Sequence, residues 1–307
     1  MKAIRVTRYG QPEGLALQEL PSQAPGQGEV LIDVAGSGVN PIDWKILSGA
    51  MQAFIPLALP YTPGVEVAGR VAAIGTDVDG FSVGDEVFGF IGVVGAHATQ
   101  VVASVQRLAH RPARLSPLEA AGVPAAALTA WQALHDHARI AVGQTVLIHG
   151  AAGGVGSMAV QMARLAGATV IATASAHNHA YLKALGADTV IDYTRTRFET
   201  EIERVDVVLD LVGGDTQDRS WAILKQGGAL VSPVSQPDAS KAIAAGATAR
   251  HFATRPDGVQ LAEIASLFEA GRLNIDVQVM PLSQAEGALR KSLGRHVRGK
   301  LVLDASR

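Results

Sequence analysis

Residues 145–188, TVLIHGAAGGVGSMAVQMARLAGATVIATASAHNHAYLKALGAD, read as a strand, a glycine turn, a helix and a second strand. Thr145 to His149 is a short β-branched and apolar run suited to a buried parallel strand, whereas Ser157 to Leu165 places apolar residues at helical spacing. Between them, Gly153 lets the backbone approach a pyrophosphate and Gly156 lets the helix lie close on the strand. The start of the helix, at Gly154 and Val155, offers unpaired N–H groups to phosphates. The stretch is therefore expected to bind a dinucleotide. In the usual G-x-G-x-x-G spelling the first glycine would fall at Ala151, so the fingerprint here is Ala151, Gly153 and Gly156, with Gly150 one place earlier.

An acidic residue about 20 positions beyond such a turn grips the free ribose hydroxyls of NAD. From His137 to Ala187 the chain has no Asp or Glu, and the second strand, Thr169 to Thr173, ends in Ala174, Ser175, Ala176, His177 and Asn178. A small, uncharged or partly cationic mouth tolerates the extra 2′-phosphate of NADP. Ser175 and Asn178 can donate hydrogen bonds to it, and His177 or His179 adds charge when protonated. NADPH is the expected cofactor. The alternative reading of Ser175 is a cap for the helix beginning near His177.

A chain of 307 residues with 48% hydrophobic and 18% charged residues fits a globular enzyme of about two domains. The net charge of −2 and the lack of Lys/Arg runs argue against a nucleic-acid partner. The N-terminus MKAIRVTRYG shows no charged-then-apolar leader, and no stretch of about 18 apolar residues could span a bilayer, so a soluble, cytoplasmic protein without a membrane partner is expected. The absence of cysteine removes disulfides, thiol nucleophiles and thiolate metal sites.

Two textures divide the chain. Up to about residue 115, short strand-like runs (Ala3 to Tyr9, Val30 to Val34, Val65 to Ile74, Glu86 to Phe90, Thr99 to Ala103) alternate with Gly, Pro and Asp turns, which reads as a β-rich domain of barrel or sandwich type. From Pro117, helices alternate with apolar strands opening at Thr145, Thr169, Thr189, Val207 and Ala229, as in a doubly wound parallel sheet. Beyond about 275 the texture reverts: strand Val277 to Met280, helix Ser283 to Leu293, strand Lys300 to Leu303. The fold class expected is α/β. A β-rich substrate domain (1–115 and 275–307) would carry an inserted Rossmann NADP-binding domain (116–274), with the cofactor cleft between them.

Seven segments carry a family resemblance across nearly the whole chain: GVNPIDWKILSG (38–49), PYTPGVEVAGRVAAIGTDVDGFSVGDEVFGF (60–90), LTAWQAL (128–134), GAAGGVG (150–156), LGADTVIDYT (185–194), LDLVGGDT (209–216) and RGKLVL (298–303). Their order resembles the quinone oxidoreductase branch of the medium-chain dehydrogenase/reductase superfamily. The resemblance implies a GroES-like β-rich domain, a Rossmann domain, NADPH as reductant and a homodimer. In the zinc-dependent alcohol dehydrogenases of the superfamily, ligands would fall at Asn40, Val65 and about Ala125, none of which can make a catalytic zinc site here; the four-cysteine zinc lobe is also missing. The pairs His135/His137 and His177/His179 do not chelate alone, because residues two apart on a helix point to nearly opposite sides. No metal is expected.

Without a metal, the acceptor must need little Lewis-acid help. Quinones and α,β-unsaturated carbonyls qualify, and the protein supplies orientation, a dry site and a few donors. By resemblance, Asn40 and Thr129 face the nicotinamide and the substrate, where an amide and a hydroxyl could polarise a carbonyl. Asn40, Pro41 and Asp43 also match the N-cap, N1 and N3 positions of a helix, an alternative use of Asn40. Tyr61 is the best available proton donor, with packing as its alternative and solvent as the default proton source. For the adenosine phosphate the resemblance adds Tyr193 and Arg295; Ser232 to Gln236 would offer backbone groups to the nicotinamide carboxamide, and Phe252 would close the ring's far side. The apolar loop Ser48 to Tyr61, with Trp44 and Phe90, suits a small hydrophobic carbonyl or quinone. The expected activity is metal-free hydride transfer from NADPH to a quinone. The alternatives are an NADPH-dependent enone or alkenal reductase and a non-catalytic NADPH-binding structural or regulatory protein.

Overall fold

Eleven residues, Glu29–Val39, form the longest strand of the molecule, and three other strands pair with it directly. A computed structural model describes all residues, Met1–Arg307, and divides the chain into two compact units, Met1–Ala125 with Pro256–Arg307, and Ala126–Arg255. The first unit opens with β1 (Lys2–Arg5), β2 (Ala16–Glu19), β3 (Glu29–Val39), β4 (Glu66–Ile74), β5 (Glu86–Phe90), β6 (Gln100–Ser104) and β7 (Leu108–His110). On β3, Val30, Ile32 and Val34 pack with Val67, Val71 and Val87 into one buried cluster, as period-two side-chain alternation requires. Register shifts between Leu31 and Ile32 and between Val34 and Gly36 bend β3, so that it reaches both β4 and β6.

The second unit holds β8 (Thr145–Ile148), β9 (Thr169–Ala174), β10 (Thr189–Asp192), β11 (Val205–Leu209), β12 (Leu224–Ser232) and β13 (Thr248–His251). All pair in parallel in the order β10-β9-β8-β11-β12-β13. This is the doubly wound order, with its switch point between β8 and β11, beyond whose carboxyl ends such sheets bind ligands. Leu147, Val208, Leu224 and Leu230 are fully buried with Phe198 and Trp221 in the core beneath the sheet.

The tail then rejoins the first unit. β14 (Val277–Pro281) pairs in parallel with β15 (Lys300–Asp304), and β15 runs antiparallel to β3. The stretches 116–125 and 256–274, expected in the Rossmann domain, lie instead within the first unit. The reason is packing: the helix Pro117–Ala121 lies on β3, β4 and β15, and the helix Gly258–Glu269, capped by the Asp257 carboxylate on the N–H groups of Val259 and Gln260, lies on β7. No helix is long and apolar enough to cross a membrane.

Candidate functional site

The glycine turn follows β8 at the switch point. Gly150 has φ +65°, so the left-handed position of the turn falls one residue before Ala151, and the alanine sits where no glycine is needed. Gly156 is required by contact: a Cβ there would stand 2.5 Å from both the Ala151 Cα and the Gly150 carbonyl oxygen. The N–H of Ala151 reaches the Thr173 carbonyl at 3.3 Å, tying the turn to β9. Gly153 precedes the helix Gly154–Leu165 as its N-cap and has no side chain, so the first-turn N–H groups of Gly154 and Val155 are uncovered by any cap side chain. These features fit a pyrophosphate.

At the end of β9, Ser175, His177 and Asn178 lie together on a short 3₁₀ turn. Ser175 Oγ is 3.3 Å from His177 Nδ1, so the hydroxyl is engaged with the imidazole and makes no helix cap. Tyr193 follows β10 with a 54% exposed ring. Beside it, Asp192 accepts from both the hydroxyl and the amide of Thr194, and these bonds hold its carboxyl below the usual range.

On the other side of the switch point, Ser232 is buried at the end of β12. Its hydroxyl donates to Asp210 Oδ2 at 3.0 Å and accepts from the N–H of Val234. Asp210, fully buried after β11, also takes the N–H groups of Val212 and Gly213 and the Gln217 amide. One carboxylate thus fixes the loops after both strands. Thr129, on the helix Pro124–Trp131, meets Thr254 hydroxyl to hydroxyl at 2.7 Å. A π-helical turn, Gln132–His137, continues that helix, and the Gln132 amide brackets the backbone N–H and C=O of Arg255. His137 packs in a tilted arrangement against Phe252, with ring centres 4.3 Å apart, and His135 against Trp131 at 4.4 Å, which gives both histidines packing partners.

In the first unit, Asn40 precedes the helix Pro41–Leu47, and its N–H donates to Asp43 Oδ2 at 2.7 Å. Its side chain belongs to a buried ionic cluster. Asn40 Nδ2 donates to Glu66 Oε1 (2.7 Å) and to the Gly38 carbonyl (3.3 Å), while Lys300 Nζ donates to Asn40 Oδ1 and Glu66 Oε1, both at 2.6 Å. Both amide hydrogens are thus spent inside the unit, leaving none for an acceptor carbonyl in this arrangement. Tyr61 packs among Val6, Ile46 and Leu289; its hydroxyl is buried and unpartnered, and burial, with Tyr9 and Asp43 nearby, raises the phenol above its ordinary value. Trp44, Met51, Ile55 and Leu57 pack on the same core cluster, while Phe54 is 80% exposed. Arg295 belongs to this unit too, its guanidinium 5.8 Å from the Trp44 ring centre.

Two family models match, one described as an alcohol dehydrogenase GroES-like domain over residues 26–113 and one as a zinc-binding dehydrogenase over 185–303. The chain is 32% identical to the chloroplastic quinone-oxidoreductase QR1 of Triphysaria versicolor, covering 99% of this chain and 98% of that protein. The chain belongs to the quinone oxidoreductase branch of the medium-chain dehydrogenase/reductase superfamily. The quinone oxidoreductase structure from Coxiella burnetii superposes on this branch member with a TM-score of 0.91 at 35% identity, covering 99% of both chains. That of the Escherichia coli quinone oxidoreductase complexed with NADPH gives 0.89 at 28% identity, covering 99% of this chain and all of the other.

Although one matching model is described as zinc-binding, this oxidoreductase has no group of three or more His, Cys, Asp or Glu placed to hold a metal ion. What the reading of the sequence missed is a set of buried polar residues: Glu66, Lys300, Asp210, Gln132 and His149. The last stands directly before the glycine turn, 3.1 Å from Thr173 Oγ1 and 3.0 Å from Ser220 Oγ, bridging β8, β9 and the helix Gly214–Ser220. Burial lowers its pKa to about 4 against the opposing pull of Asp210. Below about pH 6.5 the unfolded chain takes up a proton that the native site refuses until about pH 4. This contribution, about 3 kcal/mol, is therefore complete above pH 6.5 and lost progressively as the pH falls towards 4. Denaturation at neutral pH and near pH 4.5 should show most of that loss, and a His149→Gln variant should show a flatter pH dependence; equal slopes would remove His149 as the cause.

Proposed function

We propose that this chain transfers hydride from NADPH to a quinone without a metal. The observation that carries the reading is a nearly full-length match to quinone oxidoreductases in a chain whose expected metal-ligand positions hold Asn40, Val65 and Ala125. An amide, an aliphatic side chain and a methyl group give a divalent ion no adequate ligand set. NADPH rather than NADH is supported by the mouth at β9, where Ser175, His177 and Asn178 stand and no carboxylate occurs between His137 and Ala187. When bound, the nicotinamide cofactor supplies the hydride. The residues of the chain bind and orient: the turn Gly150–Gly156 receives the pyrophosphate, and Ser232, held by Asp210, fixes the backbone of 232–236 for the carboxamide. Thr129 supplies a hydroxyl beside the nicotinamide, and Asn40 holds the buried cluster in shape rather than polarising the acceptor. Tyr61 keeps its proton in its apolar setting, and solvent protonates the reduced product.

The test follows nicotinamide absorbance in chelator-treated protein, offering an ortho-quinone, a para-quinone and a simple enone with NADPH or NADH. A quinone should oxidise NADPH at least about tenfold faster than the enone does, a difference of about 1.4 kcal/mol in barrier, with no effect of chelation. Turnover of the enone alone would reassign the chain as an enone reductase, and tight NADPH binding without turnover would make it a binding protein.

A further inference from the structure

The chain contains two Asp-Gly steps, Asp79–Gly80 and Asp257–Gly258, and the fold treats them oppositely. At such a step the glycine nitrogen can attack the side-chain carboxyl carbon of the aspartate, because no Cβ on the glycine obstructs the approach. Two freedoms are needed. The carboxyl must be unengaged, and the peptide plane joining the two residues must be able to turn.

Asp79 and Gly80 lie in the connection between β4 and β5, and both are exposed. The Asp79 carboxylate has no hydrogen-bond or ion-pair partner, whereas the nearby Asp77 is held by Gln27 Nε2 at 2.8 Å. Neither the carbonyl of Asp79 nor the N–H of Gly80 is hydrogen-bonded, and a Cβ at Gly80 would meet nothing within 4 Å. Turning the plane between them changes only the Asp79 ψ and the Gly80 φ, now +81°, and glycine accepts either sign of φ. The next plane is anchored. His110 Nε2 lies 3.0 Å from the Gly80 carbonyl oxygen, and its ring stacks on Phe81 with centres 4.8 Å apart. Motion is thus concentrated in the one peptide that the reaction must turn.

At the second step both freedoms are gone. Asp257 Oδ1 accepts the N–H groups of Val259 and Gln260, each at 3.0 Å, and the Asp257 carbonyl accepts the N–H of Leu261. Gly258 is hemmed in as well, since a Cβ there would stand 2.6 Å from the Leu108 carbonyl oxygen. We propose that Asp79 is a site of spontaneous isomerisation to isoaspartate, and that the helix cap protects Asp257 from the same reaction. The Gly80 nitrogen bonds to Asp79 Cγ, and the carboxyl hydroxyl leaves with the amide hydrogen as water. The five-membered imide then takes up one water at either carbonyl, which returns aspartate or carries the main chain through the former side chain. Nothing is oxidised or reduced, and the mass is unchanged.

The test keeps the whole protein at neutral pH and body temperature for several weeks, native and in guanidinium chloride. Both steps are then mapped in each sample by fragmentation mass spectrometry that separates the two isomers, and an isoaspartate-specific carboxyl methyltransferase counts the total. In the native protein, isoaspartate at residue 79 should exceed that at 257 by at least about tenfold, because local opening is nearly free at the one and opposed by the cap at the other. In denaturant the two steps should come within about threefold of each other, since each is then an ordinary Asp-Gly step in an open chain. Asp79→Glu keeps the charge at an exposed position but would need a six-membered imide, so it should remove most of the native methyl count. Equal amounts at the two steps of the native protein, an excess at Asp257, or an unmodified Asp79 beside a modified denatured control would overturn the proposal. A methyl count that Asp79→Glu leaves unchanged would overturn it too, by placing the reaction elsewhere in the chain.

Discussion

Gly156→Val should abolish dinucleotide binding. The atoms a Cβ would meet are the Ala151 Cα at 2.5 Å, the Gly150 oxygen at 2.5 Å and the Ala151 carbonyl carbon at 2.7 Å, all of them backbone. A flexible side chain could swing away from such a contact; a turn cannot. The turn would have to open, and in opening would break its bond from Ala151 N to Thr173 O and misplace the N–H groups that receive the phosphates. A displacement of about 1 Å is enough to lose most of an oriented set of hydrogen bonds. The expected loss in NADPH affinity is at least about 100-fold, near 3 kcal/mol, read by titration of the nicotinamide fluorescence. Gly153→Ala separates the two roles of glycine in this turn. Its Cβ would lie 3.5 Å from the Gly150 oxygen, an ordinary contact, at φ −74°. The alanine protein should therefore fold normally, and any weakening of binding would report the close approach of the ligand itself. A Gly156→Val protein that binds NADPH within tenfold of wild type would show that the turn is not the phosphate cradle.

The parallel sheet was legible because its strands are buried on both faces and read as apolar runs, so β8, β9 and β10 begin at Thr145, Thr169 and Thr189 as expected. β12 begins at Leu224, five residues ahead of its expected start, because the polar and glycine residues Lys225, Gln226, Gly227 and Gly228 interrupt the apolar run by which the strand was placed. β13, TARH, went unread: it is the edge of its sheet, mostly exposed, and has no apolar alternation to betray it. The glycine turn declared itself through local spacing, but the place of its left-handed residue, Gly150, is a backbone property that spelling alone misassigns. Asn40 shows the limit from the other direction. Its residue type suits a donor to a substrate carbonyl, yet Lys300, 260 positions away, and Glu66 take up its amide, and only the tertiary fold brings these three together. The available signal was a charge within an apolar strand, Glu66 in VEVAGRV and Lys300 in KLVLD, since such charges are rarely buried without partners.

That cluster predicts the second large effect: Lys300→Met should destabilise the first unit by about 3–5 kcal/mol. Glu66 is fully buried and Lys300 is 5% exposed, so the ammonium and the carboxylate are each other's solvent. A Cβ at Gly38 would overlap the Glu66 carboxylate, which shows how closely the strand is fitted around it. Removing the lysine leaves a buried charge with only the Ala125 and Asn40 donors, and deprives Asn40 Oδ1 of its partner. The double change Glu66→Gln with Lys300→Met removes the charge as well as its partner. Glutamine can still accept from the Ala125 N–H, which a leucine at that place would orphan. The double variant should therefore recover most of the loss, as replacing a whole buried ion pair often does. Chemical denaturation of the two single variants and the double variant closes the cycle and measures the coupling. A double variant no more stable than Lys300→Met alone would mean that the cost lies in lost packing of the lysine stem and not in the stranded Glu66 charge. The cluster would then be a space-filling feature of β15 rather than the electrostatic anchor that joins β3, β4 and β15.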